Sequence, residues 1–161
     1  MPDRPEIYNM AGHLIRRLHQ ISVAVFADHM AREGVELTPV QFAALSAIRA
    51  QPGIDQATLA GAIAYDKATL GGVIDRLEGK GLIVRTVSPQ DRRARVLGLT
   101  EEGQALFARM VPVVRTLQTD ILSGLNEDER ETLLALLKKT TEAGNEKSRA
   151  PLRPVKARGQ G

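Results

Sequence analysis

The stretch VSPQDRRARVLGLT, residues 87–100, sets Arg92, Arg93 and Arg95 beside a single acid, Asp91. Guanidinium groups at that density make no covalent bonds. They neutralise phosphates and enter narrow grooves of negative potential. The flanking runs GLIVRTV and ARVLGLT are short, apolar and rich in β-favouring residues, so the charged piece reads as the tip of a β-hairpin. A carboxylate aimed at a polyanion would cost affinity, so Asp91 is expected to pair with a neighbouring arginine and hold the turn in shape. A second set of candidate positions, Lys67, Ala68, Thr69, Gly72 and Arg76, lies in DKATLGGVIDRLEG, and a third, His13, Arg16, Arg17 and His19, near the N-terminus.

Other chemistries find little support. With no cysteine there is no thiolate nucleophile, disulfide or sulfur-bound zinc. The three histidines, His13, His19 and His29, lack the i, i+4 spacing of a helical metal site. No glycine-rich phosphate loop and no Ser/His/Asp arrangement stands out, so no enzyme, metal site or cofactor is expected. The N-terminal MPDRPEIYNMAGHL has no apolar signal core, and no long uncharged apolar run occurs, which predicts a cytoplasmic chain without membrane contact.

The formal charge of the 161-residue chain is only +3, but it is unevenly spread. Arg85, Arg92, Arg93 and Arg95 face one acid in the hairpin. Lys147, Arg149, Arg153, Lys156 and Arg158 face Glu146 alone near the C-terminus. Basic segments on an otherwise acidic body suit a polyanionic partner.

The elements that must position these residues follow from periodicity and end signals. Ile7, Met10, Leu14, Leu18, Ile21 and Val25 recur every three or four residues and predict one helix from about Pro5 to Arg32, long enough to need a partner subunit. Thr38 and Pro39 open a second helix. Asp55 and Asp66 cap two short helices in tandem, and Gly81 ends the second. Their tight connection requires a steep crossing, as in a helix-turn-helix. After the hairpin, Thr100 opens a long helix, Asn126 and Glu129 form a capping box for another, and the chain beyond Gly144 reads as a disordered basic tail.

The segments LTPVQFAAL, DKATLGGVIDRLEGKGLIVR and DRRARVLGLTEEG resemble the pattern of the MarR family of bacterial winged-helix regulators, over about residues 5–142. The resemblance implies a mainly α fold: a winged helix-turn-helix with a two-stranded β wing and an α-helical dimerisation region. It implies a homodimer on a pseudo-palindromic operator, with repression relieved by a small ligand, often a phenolic or aromatic carboxylate. By the same resemblance Arg93 is the minor-groove residue and Arg92 a phosphate contact.

The chain is therefore expected to divide into a helical dimerisation region (1–34 and 101–143), a DNA-binding lobe (35–100) and a disordered basic tail (144–161). Lys67, Thr69 and Arg76 are the expected base readers, with Ala68 or Thr69 able to meet a thymine methyl. Gly71 and Gly72 depart from the family's long polar side chains at mid-helix. Two readings stand: close approach of backbone to groove, or close packing on a neighbour. His13, Arg16, Arg17 and His19 are candidates for a pocket that binds an aromatic acid. The rival reading is a basic architectural DNA-binding protein that senses nothing.

Overall fold

The computed structural model describes residues 3–156. A 3-10 turn at Glu6–Asn9 precedes α1 (Ala11–Arg32), and α2 (Pro39–Ala50), β1 (Ile54–Asp55), α3 (Gln56–Ala62) and α4 (Lys67–Gly79) follow. The wing strands β2 (Ile83–Val87) and β3 (Arg95–Leu99) come next, then α5 (Glu101–Ile121) and α6 (Glu127–Ala143). The fold is mainly helical, and no described helix is long and apolar enough to cross a membrane.

Local chemistry explains the helix starts. Thr38 accepts from the Gln41 N–H while the Gln41 side chain accepts from the Thr38 N–H, a closed capping box. Asp55, Asp66, Thr100 and Asn126 each accept a backbone N–H from the first turn that follows. Gly81, at φ +73, turns the chain from α4 into β2.

The expected single helix from Pro5 is instead broken. Met10 is extended (φ −84, ψ 135), and the weak helix formers Asn9 and Gly12 flank it. The expected two-stranded wing forms from β2 and β3, and β1 adds a third strand to make an antiparallel sheet in the order β1-β3-β2, with Ile54 opposite Leu97 and Ile83 opposite Leu99. Two residues are too few to show a strand period, and Gly53, at φ +84, swings them onto β3.

One core runs through the molecule: Leu45, Ile48, Leu59, Leu70, Ile74, Leu77 and Leu97 fill the lobe, and Met110 and Leu117 extend it onto α5. The chain's three phenylalanines join α1, α2 and α5. Phe42 stacks on Phe107 at 5.1 Å between centroids and meets Phe26 edge-on at 6.4 Å. The first turn of α5 is seated on the α4–β2 turn. The Thr100 N–H donates to the Leu82 carbonyl (3.1 Å), and its hydroxyl donates to the Gly81 carbonyl (2.6 Å). A Cβ at Gly103 would lie 2.0 Å from the Leu82 oxygen, so only glycine lets the helix sit there.

As far as Lys156, the segment after α6 is ordered rather than the disordered tail expected from its composition. A 3-10 turn at Asn145–Lys147 leads into an extended stretch that lies against α3. The Arg153 N–H donates to the Gly61 carbonyl at 2.7 Å, and Val155 packs on the core. Sparse apolar content hid this, because the anchoring is mostly by hydrogen bonds. Arg158 lies outside the described residues.

Candidate nucleic-acid interface

Leu70, Val73, Ile74 and Leu77 hold α4 to the lobe, and the opposite side is left to solvent. Lys67, Ala68, Thr69, Gly72 and Arg76 are all exposed, and all lie on that outer side. Asp66 caps the helix through the Ala68 N–H (2.9 Å), while the Thr69 hydroxyl donates back to the Asp66 carbonyl (3.1 Å). A Cβ at Gly72 meets nothing within 4 Å, and one at Gly71 makes only an ordinary contact with Gln56 Nε2 at 3.6 Å. Packing against a neighbour within the chain therefore does not account for the pair. Open space over Gly72 lets a surface approach the helix backbone closely.

The wing tip is built by side chains that bond to backbone. Across its mouth the Ser88 N–H donates to the Ala94 carbonyl (3.0 Å), and the Ser88 hydroxyl accepts from the Gln90 and Asp91 N–H groups (3.2 and 3.3 Å). Asp91 Oδ1 accepts from the Arg93 N–H at 2.9 Å. The expected ion pair is thus replaced by an Asx-type turn, which fixes the backbone and leaves the guanidinium groups unclaimed. Arg92, Arg93 and Arg95 are exposed, and among the described residues none has an ion-pair partner. Ser88 was not anticipated; a serine entering a turn two residues before a Gln-Asp pair was the available signal.

Arg85 departs from the group. It bonds Asp75 (2.5 Å) and Glu78 (3.1 Å) on α4, tying β2 to that helix. The hydrogen bond from Arg85 holds the Glu78 carboxyl below its ordinary range, and the two carboxylates hold the Arg85 guanidinium above its own. The basic wing therefore rests on three arginines, with Arg85 serving as its strut. Asp55, at the start of α3, combines two opposed effects. Partial burial pushes its carboxyl up, but hydrogen bonds from Thr58 and Ala57 outweigh that and leave it below its ordinary value.

The third set lies apart, on α1. Arg16 reaches the His13 ring at 3.4 Å, and Tyr8 packs against His13 at 5.6 Å between centroids. Arg17 and His19 are exposed. His29 instead bonds Asp120 at 2.6 Å and links α1 to α5. The surface around the four is apolar, with Met10, Leu14, Ile15 and Ile21 exposed. No residue of α6 is buried, and Leu134 and Leu136 stand in solvent.

Comparison with known proteins places this geometry among relatives. The sequence pattern described as the MarR family matches residues 37–94. The HTH-type transcriptional repressor NicR of Pseudomonas putida is 35% identical over 134 residues, which cover 83% of this chain and 84% of NicR. The structure of Bordetella bronchiseptica BpsR, described for the regulation of its DNA binding by 6-hydroxynicotinic acid, superposes with a TM-score of 0.79 at 34% identity. It covers 87% of this chain and 99% of BpsR. The repressor CouR, bound to a 23-mer DNA duplex, also gives 0.79 at 34% identity, over 88% of this chain and 99% of CouR.

Proposed function

The chain belongs to the MarR family, a family of transcriptional regulators, and we propose that it is a homodimeric repressor that occupies promoter DNA and is released by a small aromatic or heteroaromatic acid. The observation that carries the DNA half is the joint exposure of the outer side of α4 and the three unpaired arginines of a stiffened wing. In this reading α4 enters the major groove, with Lys67, Thr69 and Arg76 at base edges. Gly72 lets its backbone come close. Arg93 enters the adjoining minor groove, while Arg92 and Arg95 meet phosphates.

The exposed apolar residues of α1 and of α6, which buries no residue fully, support a second copy of the chain as the dimer partner. Two lobes so joined suit a pseudo-palindromic operator, whose half-sites must match the spacing of the two α4 helices. His13, Arg16, Arg17 and His19 lie beside that apolar face, so the effector site is completed only when the second copy covers it. An acid bound there releases DNA by favouring a lobe spacing that no longer fits. That NicR is a transcriptional repressor supports the direction of regulation, and that 6-hydroxynicotinic acid regulates the DNA binding of BpsR supports this choice of effector class.

The test is binding to a labelled duplex from the region upstream of the chain's own gene. Arg93→Ala should weaken binding by about 1–3 kcal/mol with no change in melting temperature, because the residue lies on an exposed tip. An unchanged affinity would remove the wing from the interface. A panel of aromatic and heteroaromatic acids should contain one that raises the melting temperature and displaces the duplex, and Arg17→Ala or His19→Ala should blunt that displacement. Duplex binding that no member of the panel disturbs would favour an architectural protein without an effector.

A further inference from the structure

The segment that follows α6 is latched in four ways. Asn145 works as a two-sided clip: its Oδ1 accepts from the Leu152 N–H (2.8 Å) and its Nδ2 donates to the Leu152 carbonyl (3.1 Å). Glu146 and Arg153 form a two-pronged ion pair at 2.6 and 3.0 Å. The Arg153 N–H bonds the Gly61 carbonyl of α3 at 2.7 Å. Gly61 itself is fitted to the contact, since a Cβ there would stand 3.0 Å from Arg153 Cβ.

This docking sorts the segment's cations. Arg153 is spent on Glu146. Lys147, Arg149 and Lys156 are exposed, and among the described residues none of them has an ion-pair partner. Arg149 and Pro151 form one wall of a groove whose other wall is Tyr65, Asp66 and Lys67, the turn that delivers the chain into α4. The one acid in that groove, Asp66, is engaged with the Ala68 N–H of the helix it caps. A latched arginine therefore stands beside the first residue of the helix assigned to the major groove.

We propose that the docked C-terminal segment is part of the DNA-binding surface: Arg149, across the groove from Lys67, grips the sugar–phosphate backbone of duplex DNA beside the major groove entered by α4. This rests on the DNA-binding reading above. The interaction is electrostatic and indifferent to base sequence, and it widens the footprint of each lobe beyond helix and wing. The latch matters because a cation held in place loses less conformational entropy on binding than one at the end of a loose tail.

The experiment is a salt titration of binding to a mixed-sequence duplex, with the full chain as the protein. Arg149→Ala should lower affinity several-fold near 0.1 M salt. It should also reduce the slope of log K against log salt by about 0.9 for each phosphate left unneutralised, roughly two for a dimer. Its melting temperature should match the parent's, and Arg149→Lys should restore most of the slope. Asn145→Ala, which keeps every charge but opens the clip, should lose part of the affinity. If Arg149→Ala keeps the parent's affinity and slope while Arg93→Ala weakens binding, the segment is only a structural strap and the proposal is overturned with the DNA reading intact. A parent chain that binds no duplex overturns both.

Discussion

Two glycine positions behave in opposite ways. Gly103 sits at the seam between α5 and the lobe, where an added Cβ would fall 2.0 Å from the Leu82 carbonyl oxygen; Gly72 lies on the outer side of α4, where an added Cβ would meet nothing. The first glycine is required by the fold. The second costs the helix stability and returns nothing to the isolated chain, since glycine is about 1 kcal/mol worse than alanine in a helix interior. A residue that the fold does not need points outward, to whatever approaches from solvent. The same contrast separates Arg85, locked to Asp75 and Glu78, from Arg92, Arg93 and Arg95, which bond nothing charged among the described residues.

Substitution at each site tests that contrast. The largest effect should come from Gly103→Ala. Its methyl cannot be accommodated without moving α5 off the α4–β2 turn, and thermal or denaturant unfolding should show a loss of about 3 kcal/mol, at the upper end of overpacking costs. A loss below about 0.5 kcal/mol would mean the seam yields freely. Next, Gly72→Ala should raise unfolding stability by up to about 1 kcal/mol while lowering duplex affinity. The opposed signs are the point, because a gain in both would show that nothing comes close to Gly72.

The smallest effect concerns acid. Asp55 and Glu78 both lie below their ordinary values of 3.8 and 4.5, so their contribution to stability is complete above that range and is lost as pH falls through it. Between about pH 6 and pH 3 the parent should therefore lose stability more steeply than Glu78→Gln, in which only the Asp75 arm of the strut still titrates. Parallel curves would show that the Glu78 arm of the Arg85 strut contributes nothing, as exposed ion pairs can.

What could be read from the sequence was whatever depends on neighbours a few residues away. Thr38, Asp55, Asp66, Thr100 and Asn126 cap helices within the next turn, and all five do so here. The hairpin and the tandem helices were legible for the same reason. The strand at Ile54–Asp55 was not, because its partner lies more than forty residues away on β3. Asp91 holds the turn as expected but through a different partner, since a nearby backbone N–H competes well with a flexible guanidinium. The C-terminal segment defeated composition altogether: one asparagine and one glycine anchor a stretch too poor in apolar residues to signal order. The α1 set illustrates a different limit. Four donors stand along a helix whose Leu14, Ile15 and Ile21 are exposed, and residue spacing along one helix does not say what packs against it.

The placement of the two tyrosines has a spectroscopic consequence. The chain contains no tryptophan, so near-ultraviolet emission comes from Tyr8 and Tyr65 alone. Tyr8 lies against His13 on the N-terminal apolar face, and Tyr65 lines the groove under Arg149. One chromophore thus lies at each of two separate surfaces, and removing either leaves the other to report without a label. Tyr8→Phe leaves an emission signal from the α3–α4 turn only, and Tyr65→Phe leaves one from the face of α1.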